Sequence, residues 1–257
     1  MARAGLQLWG TVGRWVFLNW PRGSWQYDLI CGAIIAGLFI FPSPEQTEVT
    51  SLGLDDVLRA IETADDGLDS FEAKMVTTDH FILFGDTEVE SGTLSYLRPG
   101  YLRRDLVEPA PHTLIVSEGM AKIYIPRINQ AQFYPIATSE ESRKLVVPGM
   151  ASAAELRAAY DVSLTEVLPD DGAGRVYVLE LVPLPETEAA KHWTSITLSV
   201  REGQWHPAER IFIVQHNGDT TTIELSEIVR NPDLEPSDFE LDLPDGVEII
   251  RHSTAAN

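Results

Sequence analysis

The stretch from Gly92 to Pro126 constrains the fold more than any other part of the chain. It reads GTLSYLRPGYLRRDLVEPAPHTLIVSEGMAKIYIP and divides into four short extended runs. Arg98-Pro99-Gly100 closes the first, Glu108-Pro109-Ala110-Pro111 the second and Ser117-Glu118-Gly119 the third, each a set of turn-forming residues. Four strands in about 35 residues leave no length for crossover helices, so neighbouring strands pair antiparallel. The stretch is rich in apolar positions and holds no recognisable catalytic set. That combination points to a protein that works through a surface rather than a reaction.

The rest of the body extends the pattern. Leu54, Val57, Leu58 and Ile61 form a helical stripe between Leu54 and Ala64, with Asp55 and Asp56 at its favourable N-terminal end. From Ser70 the period changes to two: Phe71, Ala73 and Met75 alternate with Glu72, Lys74 and Val76. Between Ser139 and Tyr160, SEESRKLVV and ASAAELRAAY predict two short helices around Pro148-Gly149. Strands are expected again at Leu164-Leu168, Arg175-Val182, Ser195-Val200, Glu209-Gln215 and Thr220-Ile228. His216-Asn217-Gly218-Asp219 joins the last two, and Asn-Gly predicts a tight type I′ turn with positive φ at both residues. Several strands are apolar on both sides: Val176, Val178 and Val182 oppose Tyr177, Leu179 and Leu181, while Ile211 and Ile213 oppose Phe212 and Val214. This predicts that both sheet faces are covered, or that one lines a cavity. The stretch Thr77 to Val89, with Phe81-Ile82-Leu83-Phe84, is more apolar than a plain turn. It fits a strand extension or a surface tip that meets membrane or partner.

The first 45 residues are different. Leu29 to Phe41 is an uninterrupted apolar run of 13 residues. As a helix it spans roughly 20 Å, short of the ~30 Å hydrocarbon core, and extension back to Trp25 adds aromatic residues at the interface. Arg3, Arg14 and Arg22 lie upstream, which orients the N-terminus inward and the body outward. Pro42-Ser43-Pro44 follows without a small-x-small cleavage pair, so the reading is an uncleaved anchor over residues 25–41, with a cleaved secretion signal as the alternative. The chain thus divides into an anchor or signal segment, 1–45, and a body, 46–257, outside the cytoplasm.

Charge and metal chemistry exclude several functions. The net charge is −20, and because the first 45 residues balance three Arg against Asp28 and Glu45, the remainder carries −21. A body this acidic is a poor partner for nucleic acid. Cys31 is alone, so no intrachain disulfide or cysteine-based zinc site exists. The six His are scattered without metal spacing, and no nucleophile elbow, phosphate loop or dinucleotide fingerprint occurs, so no metal or cofactor is expected. A carboxylate pair facing a cleft, as in a hydrolase, is the remaining enzymatic alternative.

The order of motifs resembles the outer-membrane lipoprotein carrier family, the LolA-like proteins, over roughly Leu54 to Ile250. Ser70-Phe71-Glu72-Ala73 is similar to that family's Ser-Phe-x-Ala opening. Gly92-Thr93-Leu94, Tyr96-Leu97-Arg98-Pro99-Gly100-Tyr101-Leu102-Arg103, Pro109 and Leu114-Ile115-Val116-Ser117-Glu118-Gly119 follow. Then come Ile123-Tyr124-Ile125-Pro126 with Gln130, Thr221-Thr222-Ile223, Asn231, Phe239 and Pro244-Asp245-Gly246-Val247-Glu248-Ile249-Ile250. The resemblance implies an α+β fold, mainly antiparallel β: an incomplete β-barrel, or half-barrel, with a short helical lid, added here to the N-terminal apolar helix. It implies a non-enzymatic periplasmic carrier whose cavity holds acyl chains of lipoproteins or lipids on their way to the outer membrane. Its partners would be a membrane export complex and an outer-membrane acceptor. Arg98 occupies the place of the family's arginine that holds the lid closed. Phe71, Ala73, Met75, Leu94, Tyr96, Leu102 and Leu114 are the implied cavity residues; Leu145, Val146, Val147, Leu156 and Tyr160 are the implied lid. An envelope sensor or membrane-tethered docking protein of the same fold is the alternative, because a retained anchor would prevent free diffusion.

Overall fold

A computed structural model describes residues 51–135 and 151–252. The N-terminal segment and anchor, the first helix expected after Ser139, and lid residues Leu145, Val146 and Val147 lie outside the described residues.

The body opens with α1 (Leu54–Asp66), which buries Val57, Leu58 and Ile61 as its stripe requires. Six strands follow: β1 (Ser70–Phe81), β2 (Asp86–Leu97), β3 (Tyr101–Glu108), β4 (His112–Ser117), β5 (Met120–Ile125) and β6 (Gln130–Pro135). After α2 (Ala153–Ala159) come β7 (Tyr160–Leu168), β8 (Val176–Pro183), the single-turn α3 (Ala189–His192), β9 (Trp193–Arg201), β10 (Arg210–Gln215), β11 (Thr220–Arg230) and β12 (Glu248–Arg251). The twelve strands form one open sheet in the order β12-β6-β5-β4-β3-β2-β1-β11-β10-β9-β8-β7. All neighbours are antiparallel except β12, which runs parallel to β6.

The four strands expected between Gly92 and Ile125 are present as β2 to β5, paired in sequence order. The Gly92 position is set by a bulge between β2 and β3 at Ser91/Gly92. A Cβ there would stand 2.0 Å from the Asp105 carbonyl oxygen, so only glycine lets the two backbones approach.

One face of the sheet, called inner here, carries the core. Phe71, Tyr96, Leu102 and Val116 form one register row, and Ala73, Leu94, Arg104 and Leu114 the next. On the other wing Ile211, Leu198 and Leu179 pair across β10, β9 and β8. The inner apolar residues of β1–β4 and β8–β11 join Val57, Leu58 and Ile61 of α1 and Ala153 and Leu156 of α2 in one hydrophobic cluster.

Two expectations are corrected. The outer face of the far wing is covered only in part: Tyr177, Leu179 and Leu181 on the inner side are fully buried, whereas on the outer side Val176 is buried, Val178, Phe212 and Val214 are half-buried and Val182 is exposed. Val182, which is exposed, serves strand propensity rather than a second core. Cover on the outer side is local, where the 3-10 turn Pro236–Phe239 places Phe239 against Tyr101 at a ring separation of 5.7 Å and Arg103 donates to the Asp238 carbonyl. The β10–β11 turn is also not type I′. Gly218 has φ +87°, Asn217 has no positive φ, and the Gln215 amide donates to the Asp219 carbonyl. Asn217 instead spends its side-chain oxygen on the Asp219 amide.

The Thr77–Val89 stretch is a strand extension that ends in an exposed tip. β1 and β2 extend to Phe81 and Asp86, and Ile82, Leu83 and Phe84 stand at the tip, Leu83 and Phe84 80% exposed or more.

Candidate functional site

The inner face gathers all seven implied lining residues. Phe71, Ala73, Met75, Leu94, Tyr96 and Leu102 are buried and Leu114 is half-buried, in adjacent rows of β1 to β4. The Phe71 and Tyr96 rings are 5.7 Å apart. Strand alternation puts them there: each occupies every second position of its strand, and cross-strand pairing aligns the rows. Here they pack against α1 and α2, so the apolar face is filled by the protein's own helices.

The two helices are joined to each other and to the sheet by separate devices. Arg157 of α2 pairs with Asp55 of α1 at the surface. Ser152 and Glu155 form a capping box that fixes the start of α2. A cleft of about 470 Å³ opens between the helices, lined by Leu58, Ala153 and Ala154 with Asp55, Arg59, Glu62 and Arg157 around them. Leu156 lies in the core beneath α2. Tyr160 is not helical; it is the first residue of edge strand β7, opposite Pro183. Burial raises its hydroxyl above the usual phenol range.

At the other end of α1, the last carbonyls of the helix need partners. Arg98, at the start of the turn after β2, donates to them: Nη2 to the Asp65 carbonyl at 2.7 Å and to Asp65 Oδ1 at 3.1 Å, and Nε to the Leu68 carbonyl at 3.0 Å. Arg230, at the end of β11, donates to the Ala64 carbonyl at 2.7 Å and to the Gln204 and His206 carbonyls at 2.6 Å. His206 is 2% exposed, and its Nε2 lies 3.4 Å from Asp65 Oδ1. Burial lowers the Arg230 pKa and the Asp65 charge works against that shift. Two guanidinium groups therefore clamp the C-terminal end of α1, where positive charge is also favoured by the helix dipole. The same turn is tied by Asn231, whose Oδ1 accepts from the Asp69 and Ser70 amides and whose Nδ2 donates to the Gly67 carbonyl.

Arg98 was legible from the sequence; Arg230, His206 and Asp65 were not. The available signal was Arg230 standing immediately before Asn231. Arg104 was also missed, although parity announces it: it sits between Leu102 and Leu106 on the inward side of β3. It pairs with Glu90 at 2.9 Å. Among the described residues no group of three His, Cys, Asp or Glu side chains is arranged to hold a metal ion. Among those residues no helix is long and apolar enough to cross a membrane.

Comparison with known proteins adds the following. The family model of the outer membrane lipoprotein carrier protein LolA matches residues 67–242. An outer-membrane lipoprotein carrier protein from Dechloromonas aromatica (strain RCB) is 28% identical over 162 residues, covering 62% of this chain and 71% of that protein. Among solved structures, an uncharacterized conserved protein from Thermus thermophilus aligns with a TM-score of 0.50 at 12% identity, covering 77% of this chain and 98% of its own. A LolA superfamily protein from Nitrosomonas europaea aligns with a TM-score of 0.38 at 15% identity, covering 74% and 99%.

Proposed function

The chain belongs to the outer membrane lipoprotein carrier (LolA) family, and from that premise we propose that it is a non-enzymatic carrier of acylated lipoproteins or lipids in the cell envelope. The observation that carries the reading is the inner face, where rows of apolar side chains from β1 to β4 continue into those of β8 to β11 beneath two helices. Acyl chains take the place of α1 and α2 on that face when the helices move off it, and the sheet wraps them as a half-barrel. Each methylene removed from water is worth about 0.8 kcal/mol, so a long acyl chain does not cross an aqueous space unassisted.

Arg98 is the latch in this reading. It grips the end of α1 from the rim of the sheet and releases it on loading. α2, with Leu156 on its buried side, completes the cover. The exposed tip Ile82-Leu83-Phe84 meets the membrane. Its backbone suits that role, because the Gly85 and Phe84 amides donate to the Phe81 carbonyl and the Ile82 amide to Asp219 Oδ1. The protein acts in the periplasm, receives cargo from a membrane export complex and passes it toward an outer-membrane acceptor.

A second reading is favoured by the apolar run Leu29–Phe41 with three Arg upstream. If that segment remains as an anchor on the cytoplasmic membrane, the body is a tethered docking or sensing component of the same fold. A transfer assay separates the two. The full-length protein is expected to accelerate passage of a radiolabelled acylated lipoprotein from donor vesicles to outer-membrane acceptor vesicles. No acceleration, with a stable stoichiometric protein partner instead, would favour the sensor.

A further inference from the structure

Arg104 is a charge where the pattern of the inner face calls for a leucine. Leu102 and Leu106 flank it along β3, and Leu94 and Leu114 pair with it across β2 and β4. Burial lowers its pKa, against the pull of Glu90 and Asp79. One bond is satisfied, from Nη2 to Glu90 Oε2 at 2.9 Å, but the Arg104 Nε–H is buried without a hydrogen-bond partner. Thr77, directly opposite Glu90 across β1 and β2, is 4% exposed, and its hydroxyl has no partner either. Asp79 lies two residues further along the same side of β1 and accepts from the Thr221 hydroxyl. The Arg104 and Glu90 side chains remain 22% and 26% exposed, so the pair is reachable from the face.

An ion pair alone would explain a buried arginine. It does not explain two unspent donors beside it, since buried donors are nearly always bonded in folded proteins. What they lack is an acceptor oxygen. Its charge is constrained: Glu90 already neutralises Arg104, and Asp79 adds a second carboxylate. A free carboxylate or phosphate would meet net negative charge, whereas a carbonyl oxygen would not.

Resting on the carrier reading above, we propose that Arg104 and Thr77 form a polar subsite in the apolar inner face that takes the carbonyl oxygen of an ester- or amide-linked acyl chain and discriminates against the free acid. The subsite sets the register of the ligand: the hydrocarbon runs along the leucine rows, and the linkage to glycerol or peptide stops at Arg104.

The test uses the purified full-length protein and three fluorescent probes: parinaric acid methyl ester, free parinaric acid at pH 8, and diphenylhexatriene, which has no oxygen. The native protein is expected to bind the ester more tightly than the acid. Thr77→Val, nearly isosteric, should lower the ratio of ester to hydrocarbon affinity about threefold, and Arg104→Met with Glu90→Gln about tenfold, the effect of one neutral and one charged hydrogen bond. Thr77→Val should at the same time raise the unfolding temperature of the ligand-free protein, because it removes an unpaired buried hydroxyl. That opposition of sign excludes a general packing defect. The subsite is overturned if both variants keep the native ratio while diphenylhexatriene binds, or if the free acid binds the native protein as tightly as the ester. If diphenylhexatriene does not bind the native protein, the carrier reading itself falls, and the subsite with it.

Discussion

Replacing Arg98 by Leu separates a latch from an ordinary structural arginine. The substitution removes three hydrogen bonds of 2.7 to 3.1 Å, two of them to the Leu68 and Asp65 carbonyls and one to the Asp65 carboxylate. Charged hydrogen bonds are worth more than neutral ones, but the Arg98 side chain is 35% exposed, so water recovers part of the loss. The net cost is about 2 kcal/mol. For a domain of this size that lowers the unfolding temperature by roughly 4–8 °C. Arg230 still holds the Ala64 carbonyl, so α1 remains folded onto the sheet. If the helix moves as a lid, the same 2 kcal/mol favours the open state by about 30-fold. Affinity for parinaric methyl ester, read by fluorescence titration, should then rise by up to that factor, because the latched helices compete with the acyl chain for the same face. Arg98→Lys, which keeps the charge but not the fork, should fall between. A lower unfolding temperature with an unchanged affinity would refute the latch.

Leu94→Ala truncates a fully buried side chain at the centre of the inner face and should cost about 2–5 kcal/mol, read as a lower urea midpoint. Replacing both Leu83 and Phe84 by Ser should leave stability nearly unchanged, since both are largely exposed. It should weaken sedimentation with phosphatidylcholine vesicles, because each side chain contributes about 1.5–3 kcal/mol when fully buried. Unaltered sedimentation would remove the tip from the membrane contact. Burial holds the Tyr160 proton more tightly in the folded protein than in the unfolded chain. Its contribution is therefore complete below about pH 10 and lost as pH rises above that, and Tyr160→Phe should flatten the alkaline fall in stability.

What the sequence makes legible here is what local chemistry decides. The turn clusters at Arg98-Pro99-Gly100 and Glu108-Pro109-Ala110-Pro111 delimit strands with no long-range knowledge, and β2 to β5 follow from them. The Leu54 stripe likewise specifies α1 and its buried side. The clamp on α1 is different in kind. Ala64 and Arg230 are 166 residues apart, and no periodicity links them. The parallel pairing of β12 with β6 is hidden for the same reason: the segment after β11 must first cross the outer side at Phe239. At the β10–β11 turn the Asn-Gly pair is ambiguous, because an Asn side chain that bonds its own turn removes the need for positive φ at Asn217. Arg104 shows how alternation is under-used. A charged residue in the buried register of a strand is informative because it breaks the apolar row.

The central claim is that the inner face holds acyl chains. The most direct measurement is native mass spectrometry of the full-length protein purified gently from cell envelopes, with lipid extraction of the same sample. The account predicts added mass that fragments to fatty acyl groups in ester or amide linkage, at no more than one ligand per chain. It also predicts that Arg98→Leu protein carries at least as much of this mass. A ligand-free protein that takes up no acyl probe on incubation would contradict it.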